Sequence, residues 1–341
     1  MRIRLITTAA AFAVAVAAVW SAPLLGQTQA GTRAASAAPA AQAKAPLNPR
    51  TLDGHPDLQG VYDVATLTPL ERPAEFAGRE FITDAEAQAY EQRIAERTNR
   101  DNRESSAEAD VSSAYNEFWW DRGVHAARVR GKVRTSLIVD PPDGRLPPLT
   151  AEAQARASAR AEARQAHPAD GPEDRSLGER CLLFNAGPPM LSGPYNNFVQ
   201  ILQTRDHVVI HNEMIHDARV IPLDGRPHLP ASMRLLQGDP RGRWDGDTLV
   251  VESTNFSDKT NVRGSGPGLR LTERFTRDGA STLLYEFTVD DPGSFTRPWT
   301  AILPMTRSDA QLYEYACHEG NYAMTGILRG ARAGEGERKD R

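Results

Sequence analysis

The chain has 341 residues, and its 40 basic and 44 acidic side chains give a formal net charge of −4 at pH 7. Proteins that bind nucleic acid or anionic membranes present a basic face, so this balance argues against both partners. The length is sufficient to bury a large core in one or two domains.

The N-terminus has the pattern of a secretory signal peptide. Arg2 and Arg4 precede the apolar run 5–20, which is shorter than the roughly 20 residues of a membrane span. We predict a signal peptide over 1–30, with an uncleaved anchor as the alternative, and a periplasmic or secreted protein that has no membrane contact after cleavage. The Ala/Pro-rich stretch 31–48 is predicted to be a disordered linker.

Residues 49–178 are predicted to hold an opening strand and a helical portion. Thr83 followed by Glu86 forms a capping box at the start of an amphipathic helix, and Thr150 caps a second helix that is polar almost all round. The aromatic stretch AYNEFWWDRG, 114–123, is either an anchor that packs the helices onto the rest or a wall that stacks on a ligand.

Residues 179–330 change character, because short apolar runs alternate with turn signals. Asp245-Gly246 and Asp278-Gly279 are two-residue hairpin signals. We predict an α+β fold whose C-terminal part is an antiparallel meander, closed into a lipocalin-like barrel that removes exposed edges, with an open β-sandwich as the alternative. The tail 331–341 is predicted to be disordered. The predicted strands are NFVQILQT, HVVIHNEMIH, ARVIPLDGRPH, SMRLLQ, DTLVVESTNF, LRLTERFT, STLLYEFTVDD, RPWTAILPM and QLYEYACHE.

The sequence contains two cysteines, Cys181 and Cys317. In an oxidising compartment the simplest use of one pair is one disulfide. A thiolate metal site and a catalytic thiol are the alternatives.

Two resemblances bear on the fold. The stretch LQGVY, 58–62, together with the meander, resembles the Gly-x-Trp strand of the calycin, or lipocalin-like, barrels, with Tyr62 in the Trp position. The chain after residue 48 also resembles a family of secreted bacterial proteins of uncharacterised activity. The matching segments are DGHPDLQGVY, RTSLIVDPPDGRLPPLT, NEMIHDARVIPLDGRPH, GRWDGDTLVVESTNF, FTVDDP and YEYACHEGNY.

The candidate site centres on His216. If 207–217 is one strand, alternation places Asn212 and His216 on its apolar face, directed into the barrel. In a meander His216 and three other polar side chains then converge at one rim: Glu286, Asp290 and His318. A histidine beside carboxylates supplies general acid–base catalysis or a divalent metal site. A buried structural network is the alternative.

Each predicted site residue has a role. His216 is the base or acid, Glu213 or Glu286 orients it, and Arg219 with Asn212 holds an oxyanion or a carboxylate. The remaining ligand-binding residues are His318, Asp290 and Tyr315. No cofactor is expected, although His216, His318 and a carboxylate are a possible metal set.

Two functions follow from this pattern. The first is a cofactor-independent acid–base enzyme, a lyase, isomerase or hydrolase, acting on an apolar, aromatic or glycosidic small molecule. The second is a non-catalytic carrier that binds a small apolar ligand inside the barrel. A structural or protein-interaction role is the third possibility.

Overall fold

The computed structural model describes residues 49–102, 106, 115–184, 187–317 and 322–339. The predicted signal peptide (1–30), the predicted linker (31–48) and His318 lie outside these residues. The described chain is an α+β protein with a large antiparallel sheet. Its helices are α1 (Asp84–Thr98), α2 (Ala151–Ala166) and α3 (Ala323–Lys339). Its strands are β1 (Gly60–Asp63), β2 (Phe81–Ile82), β3 (Arg128–Val129), β4 (Lys132–Arg134), β5 (Ile138–Asp140), β6 (Phe198–Gln203), β7 (His207–Asn212), β8 (Ala218–Pro222), β9 (Asp239–Asp245), β10 (Thr248–Thr254), β11 (Arg270–Arg277), β12 (Thr282–Asp290) and β13 (Trp299–Ser308).

The large sheet has the strand order β8-β7-β6-β1-β13-β12-β11-β10-β9, and β5 pairs with β13 beside this path. Every neighbouring pair in it is antiparallel. The first strand, β1, lies between β6 and β13, so the N-terminal part of the chain completes the sheet built by the C-terminal part. An α+β fold with an antiparallel C-terminal meander is therefore confirmed.

Turn chemistry explains the hairpins of this meander. Asp245 pairs directly with Thr248 across the β9–β10 turn, and Gly246 takes the left-handed backbone that the turn requires, with φ of 58°. Gly279 does the same between β11 and β12 with φ of 89°. Both Asp-Gly pairs are turns, as predicted.

One face of the large sheet encloses the main hydrophobic core. Aromatic rings form a continuous row through it, with ring centroids 5.0 Å apart for Phe275 and Tyr285 and 5.5 Å apart for Tyr285 and Phe287. Trp299 continues the row, 5.7 Å from Phe287. These side chains are fully buried, and each such ring removes roughly 150–250 Å² from water. Side chains therefore fill the space on the inner face of the sheet.

The two edge strands of the sheet, β8 and β9, meet through side chains and not through a hydrogen-bonded ladder in the described chain. Gly242 of β9 makes this approach possible. A Cβ atom at that position would lie 2.6 Å from Leu223 Cδ2 and 2.9 Å from Ile221 Cγ2. A glycine is therefore needed where the edges come together.

The helical portion packs beside a three-stranded sheet of order β2-β4-β3. The Thr83 hydroxyl accepts from the Glu86 N–H, and the Glu86 carboxylate accepts from the Thr83 N–H, which confirms the capping box of α1. Tyr90 and Ile94 are buried on one face of α1. In α2 only Ala153 is buried, so this helix lies on the surface as expected.

Several local predictions were wrong. Strand β7 ends at Asn212, no strand covers 232–237 or 309–317 among the described residues, and α3 continues to Lys339 where a disordered tail was expected from residue 331. Strand β13 already pairs with β1 on one side and with β12 on the other. The chain therefore leaves the sheet after Ser308 instead of adding another strand beside β13. The tail is helical because it is rich in Ala, Arg and Glu.

Candidate functional site

The connection between β7 and β8 carries the central residue of the site, His216. It is short and strained, because Ile215 and His216 both have left-handed backbone, with φ of 62° and 46°. A β-branched residue rarely takes this conformation. The Asn212 N–H closes the turn by donating to the Asp217 carbonyl at 2.8 Å, and the His216 N–H donates to the Glu213 carbonyl at 3.0 Å.

The His216 imidazole is exposed and held from one side. Its Nδ1 lies 3.0 Å from the Tyr315 carbonyl oxygen. A carbonyl only accepts, so in the neutral ring this contact places the proton on Nδ1 and leaves Nε2 with a lone pair. The arrangement provides an oriented base on the surface of the protein.

The segment 309–317 lies against this turn and supplies that carbonyl. The Tyr313 N–H donates to Glu213 Oε1 at 3.2 Å, and Glu213 is only 4% exposed. Two residues beyond Tyr315, Cys317 forms the predicted disulfide with Cys181, with Cα atoms 6.0 Å apart. Glu213 therefore fixes the segment that orients His216 and does not contact the imidazole itself.

Tyrosine side chains gather around Tyr315, the residue whose carbonyl oxygen contacts His216. Tyr315 is hydrogen-bonded to the Tyr195 side chain, and Tyr115 lies near enough to contribute to its electrostatic environment. Burial, followed by the effects of Tyr195 and Tyr115, raises the pKa of Tyr315 to about 12. Tyr315 is thus neutral at physiological pH and acts as a donor or acceptor, not as an anion.

Exposed aromatic residues border this cluster. Phe118 is 82% exposed and Trp119 61% exposed, with their rings 5.2 Å apart in an edge-on arrangement. The Asp121 N–H donates to the Pro194 carbonyl at 2.8 Å, which joins the aromatic segment to the loop that carries Tyr195. The packing-anchor interpretation of this segment was therefore wrong for these rings, which remain unburied.

Of the aromatic segment, only Trp120 is enclosed. The guanidinium carbons of Arg100 and Arg122 each lie 4.7 Å from its ring centroid. This double cation–π contact fixes Trp120. The residue next to the exposed ring of Trp119 is therefore held in position.

Two half-buried carboxylates near the site, those of Asp63 and Asp217, have raised pKa values. Burial raises the pKa of Asp63, at the end of β1, and the nearby charges of Asp121 and Glu213 raise it further, against the lowering effect of the hydrogen bond from the Ala65 N–H. Burial likewise raises the pKa of Asp217, next to His216. Groups with perturbed pKa values in one region are a feature of functional sites.

Asn212 faces the interior, as alternation predicts, but does not reach the exposed site. Its side chain is fully buried, and neither amide atom has a hydrogen-bond partner within the described structure. It lines a cavity of about 10 Å³ beside Met190, Met214 and Asn197. That volume is on the order of one water molecule. The cavity beside Asn212 is therefore large enough for a water molecule and too small for a substrate.

Arg219 also points into the sheet, where it meets two residues that sequence reasoning missed. Its Nη1 and Nη2 donate to Glu273 at 3.0 Å and 2.5 Å, and the Tyr285 hydroxyl donates to the same carboxylate at 2.7 Å. The Met190 N–H in turn donates to the Tyr285 hydroxyl at 3.1 Å. All three side chains are buried. Arg219 is committed to a structural network that spans the core.

Glu286 and Asp290 are not brought to this site. They lie on the face of β12 opposite the buried Tyr285 and Phe287. In the register of the sheet, Glu286 is directly across from Arg274 of β11, and Asp290 is directly across from Arg270. The structure therefore brings His216, Glu213 and Tyr315 together, with Asn212 and Arg219 behind them in the core. His318 lies outside the described residues.

No group of three or more His, Cys, Asp or Glu side chains in the described residues is arranged to hold a metal ion. Across the same parts of the chain, no helix has both the length and the apolar character needed to cross a membrane. No family model, curated protein or solved structure matches the chain.

Proposed function

We propose that the protein is an exported enzyme that performs acid–base chemistry on a small aromatic or glycosidic molecule at the exposed site around His216. The observation that carries this proposal is the His216 imidazole, fixed through Nδ1 on a turn with left-handed backbone. Strained residues persist where the surrounding structure over-determines them, and they concentrate at functional sites. The free Nε2 is the proton acceptor.

Substrate binding is assigned to the aromatic rim. The exposed rings of Tyr115, Phe118 and Trp119 offer flat faces on which a sugar or an aromatic ring stacks. Tyr315, whose carbonyl oxygen orients the base, also carries a neutral hydroxyl that is hydrogen-bonded to the Tyr195 side chain. In ester hydrolysis, His216 takes a proton from water, the hydroxide adds to the ester carbonyl carbon, and the same proton passes to the departing oxygen as the carbonyl re-forms.

We also propose that the large sheet closes into a lipocalin-like barrel. The close approach of Gly242 to Ile221 and Leu223 supports closure, and so does the pairing of Arg219 on β8 with Glu273 on β11 across the core. A core filled by side chains favours a ligand at the rim over a carried ligand inside. The enzyme is therefore preferred to the carrier.

The proposal is tested with His216→Gln and the matched variant His211→Gln, which changes a half-buried histidine on the preceding strand. Phenol, benzoate and methyl glucoside are titrated while the His216 imidazole resonances are followed by NMR. A panel of 4-nitrophenyl esters and glycosides then reports turnover. At least one compound should perturb His216, and His216→Gln should lower turnover roughly 10²–10⁴-fold without weakening binding, as for loss of a general base.

Two results oppose the proposal. In the first, the panel compounds bind but leave the His216 resonances unchanged. In the second, turnover is the same in His216→Gln and His211→Gln. Either result would assign the strained turn a purely structural role.

A further inference from the structure

A second surface feature, separate from His216, is a groove between α1 and the segment 191–194. Its volume is about 430 Å³, which lies within the roughly 300–1,000 Å³ typical of small-molecule sites. The apolar side chains that line it are Leu67, Leu70, Ile94, Leu137 and Leu191. The groove thus has the volume of a small-molecule site and a wall that is part apolar and part polar, since Thr66, Thr68 and Ser192 line it as well.

The charged side chains that line the groove are all basic: Arg97, Arg122 and Arg263. This local excess of positive charge contrasts with the net charge of −4 of the whole chain. Arg122 is already engaged, because its Nη1 donates to Glu117 at 2.9 Å. Across the described residues, neither Arg97 nor Arg263 has a carboxylate within ion-pair distance.

Arg263 is presented by a rigid turn. Its backbone is left-handed, with φ of 54°. The turn is closed on both sides, since the Val262 N–H donates to Ser265 Oγ at 2.8 Å and the Gly266 N–H donates to Asp291 Oδ2 at 2.7 Å. The fixed backbone keeps the base of the Arg263 side chain at the groove, so only the side chain has to be ordered when it binds an anion.

The groove continues past Leu191 and Arg263 into a second open region of about 600 Å³. Lys259 lines this region, and no acidic side chain lines it among the described residues. An elongated molecule can therefore place its charged group at Arg263 and its apolar body along either side.

We propose that this groove binds a free amphipathic carboxylate, a single anionic head joined to a hydrocarbon body. Guanidinium groups bind carboxylates through paired hydrogen bonds, and Arg97 and Arg263 are the two guanidinium groups of the groove that form no ion pair with a described residue. The leucine and isoleucine walls take the hydrocarbon body by the hydrophobic effect. The site is independent of the chemistry proposed for His216.

The test uses decanoate, below its micelle concentration, with the full mature chain. Isothermal titration should give one bound decanoate, and amide shifts should change at Ile94, Leu137 and Leu191. Arg97→Gln and Arg263→Gln should each weaken binding about tenfold, equal to about 1.4 kcal/mol. Arg263→Lys should recover part of the loss, and added salt should weaken binding. The control Arg205→Gln changes an exposed arginine in the β6–β7 turn and should leave the affinity unchanged.

Other outcomes overturn the proposal. Equal binding of decyltrimethylammonium would show that the arginines do not select the charge. Unchanged affinity in both Arg97→Gln and Arg263→Gln would show that decanoate binds elsewhere on the protein. Binding to phosphatidylglycerol vesicles without binding to monomeric decanoate would identify a membrane surface as the ligand.

Discussion

The buried network of Arg219, Glu273 and Tyr285 yields the sharpest prediction about stability. Arg219→Met removes the cation and leaves the Glu273 carboxylate in the core with one hydrogen bond, from Tyr285. Glu273→Leu leaves the guanidinium uncompensated and removes the acceptor of the Tyr285 hydroxyl. The double variant replaces both charges by apolar side chains of similar volume.

The expected loss of unfolding free energy follows from the burial of both charges, since the side chains of Arg219 and Glu273 are 1% and 0% exposed. Removing one partner of a buried pair costs about 3–5 kcal/mol, whereas replacing both is often neutral or stabilising. We expect each single variant to lose this amount, or roughly 6–20 °C in Tm for a domain of this size. The double variant should be more stable than either single variant.

Urea unfolding of the four proteins, followed by circular dichroism, measures the cycle. Arg270→Gln serves as control, because Arg270 is exposed on the outer face of β11, and it should stay within about 0.5 kcal/mol of the parent. If the two single losses simply add in the double variant, the network has no coupling energy and the reasoning is refuted.

Three further changes have defined outcomes. Asp63→Asn should raise the Tm at pH 7, because burial raises the Asp63 pKa and the ionised form costs stability. That gain should vanish in a pH series of thermal melts as the pH falls from the raised folded pKa to the ordinary value of about 3.9, and a gain that persists in acid would contradict it. Replacing Cys181 and Cys317 by Ala should cost about 4–5 kcal/mol in urea unfolding on the chain-entropy estimate for a 136-residue separation, and an unchanged midpoint would count against that estimate. Thr83→Ala should cost about 1 kcal/mol by the same measurement, since Thr83 caps α1 together with Glu86; a loss near zero would mean that the cap is replaced by water.

Most of the sheet could be predicted because its strands follow local rules. Strand β11 and the second half of β12 alternate buried and half-buried residues, β10 has the apolar run Leu249 to Val251, and Asp-Gly pairs form the β9–β10 and β11–β12 turns. Strand β9, with the sequence DPRGRWD, has no such alternation. It is a strand because β10 offers it a partner, which is a tertiary effect. The apolar run at 232–237 was predicted in its place, yet Met233 and Leu235 are exposed.

The site was predictable only in part. The Cys181–Cys317 disulfide followed from the residue count and is confirmed, whereas the functional role of His216 stays a prediction. Strand β7 ends at Asn212, and the left-handed backbone at Ile215 and His216 leaves His216 exposed, which alternation could not indicate. Glu273 was overlooked although it lies between Leu271 and Phe275 on an inward face, and an acidic residue in that position is the signal of a buried partner.

The disulfide also sets how this protein responds to mechanical force. Every strand from β6 to β13 lies between Cys181 and Cys317. Tension applied at the two ends of the chain passes through the sulfur–sulfur bond and bypasses the residues between the cysteines. The residues inside this covalent ring therefore cannot be extended while the bond is intact. A pulling experiment should detach β1 and β5, which pair with strands of the ring but lie outside it, and should release the length of the eight strands only after reduction.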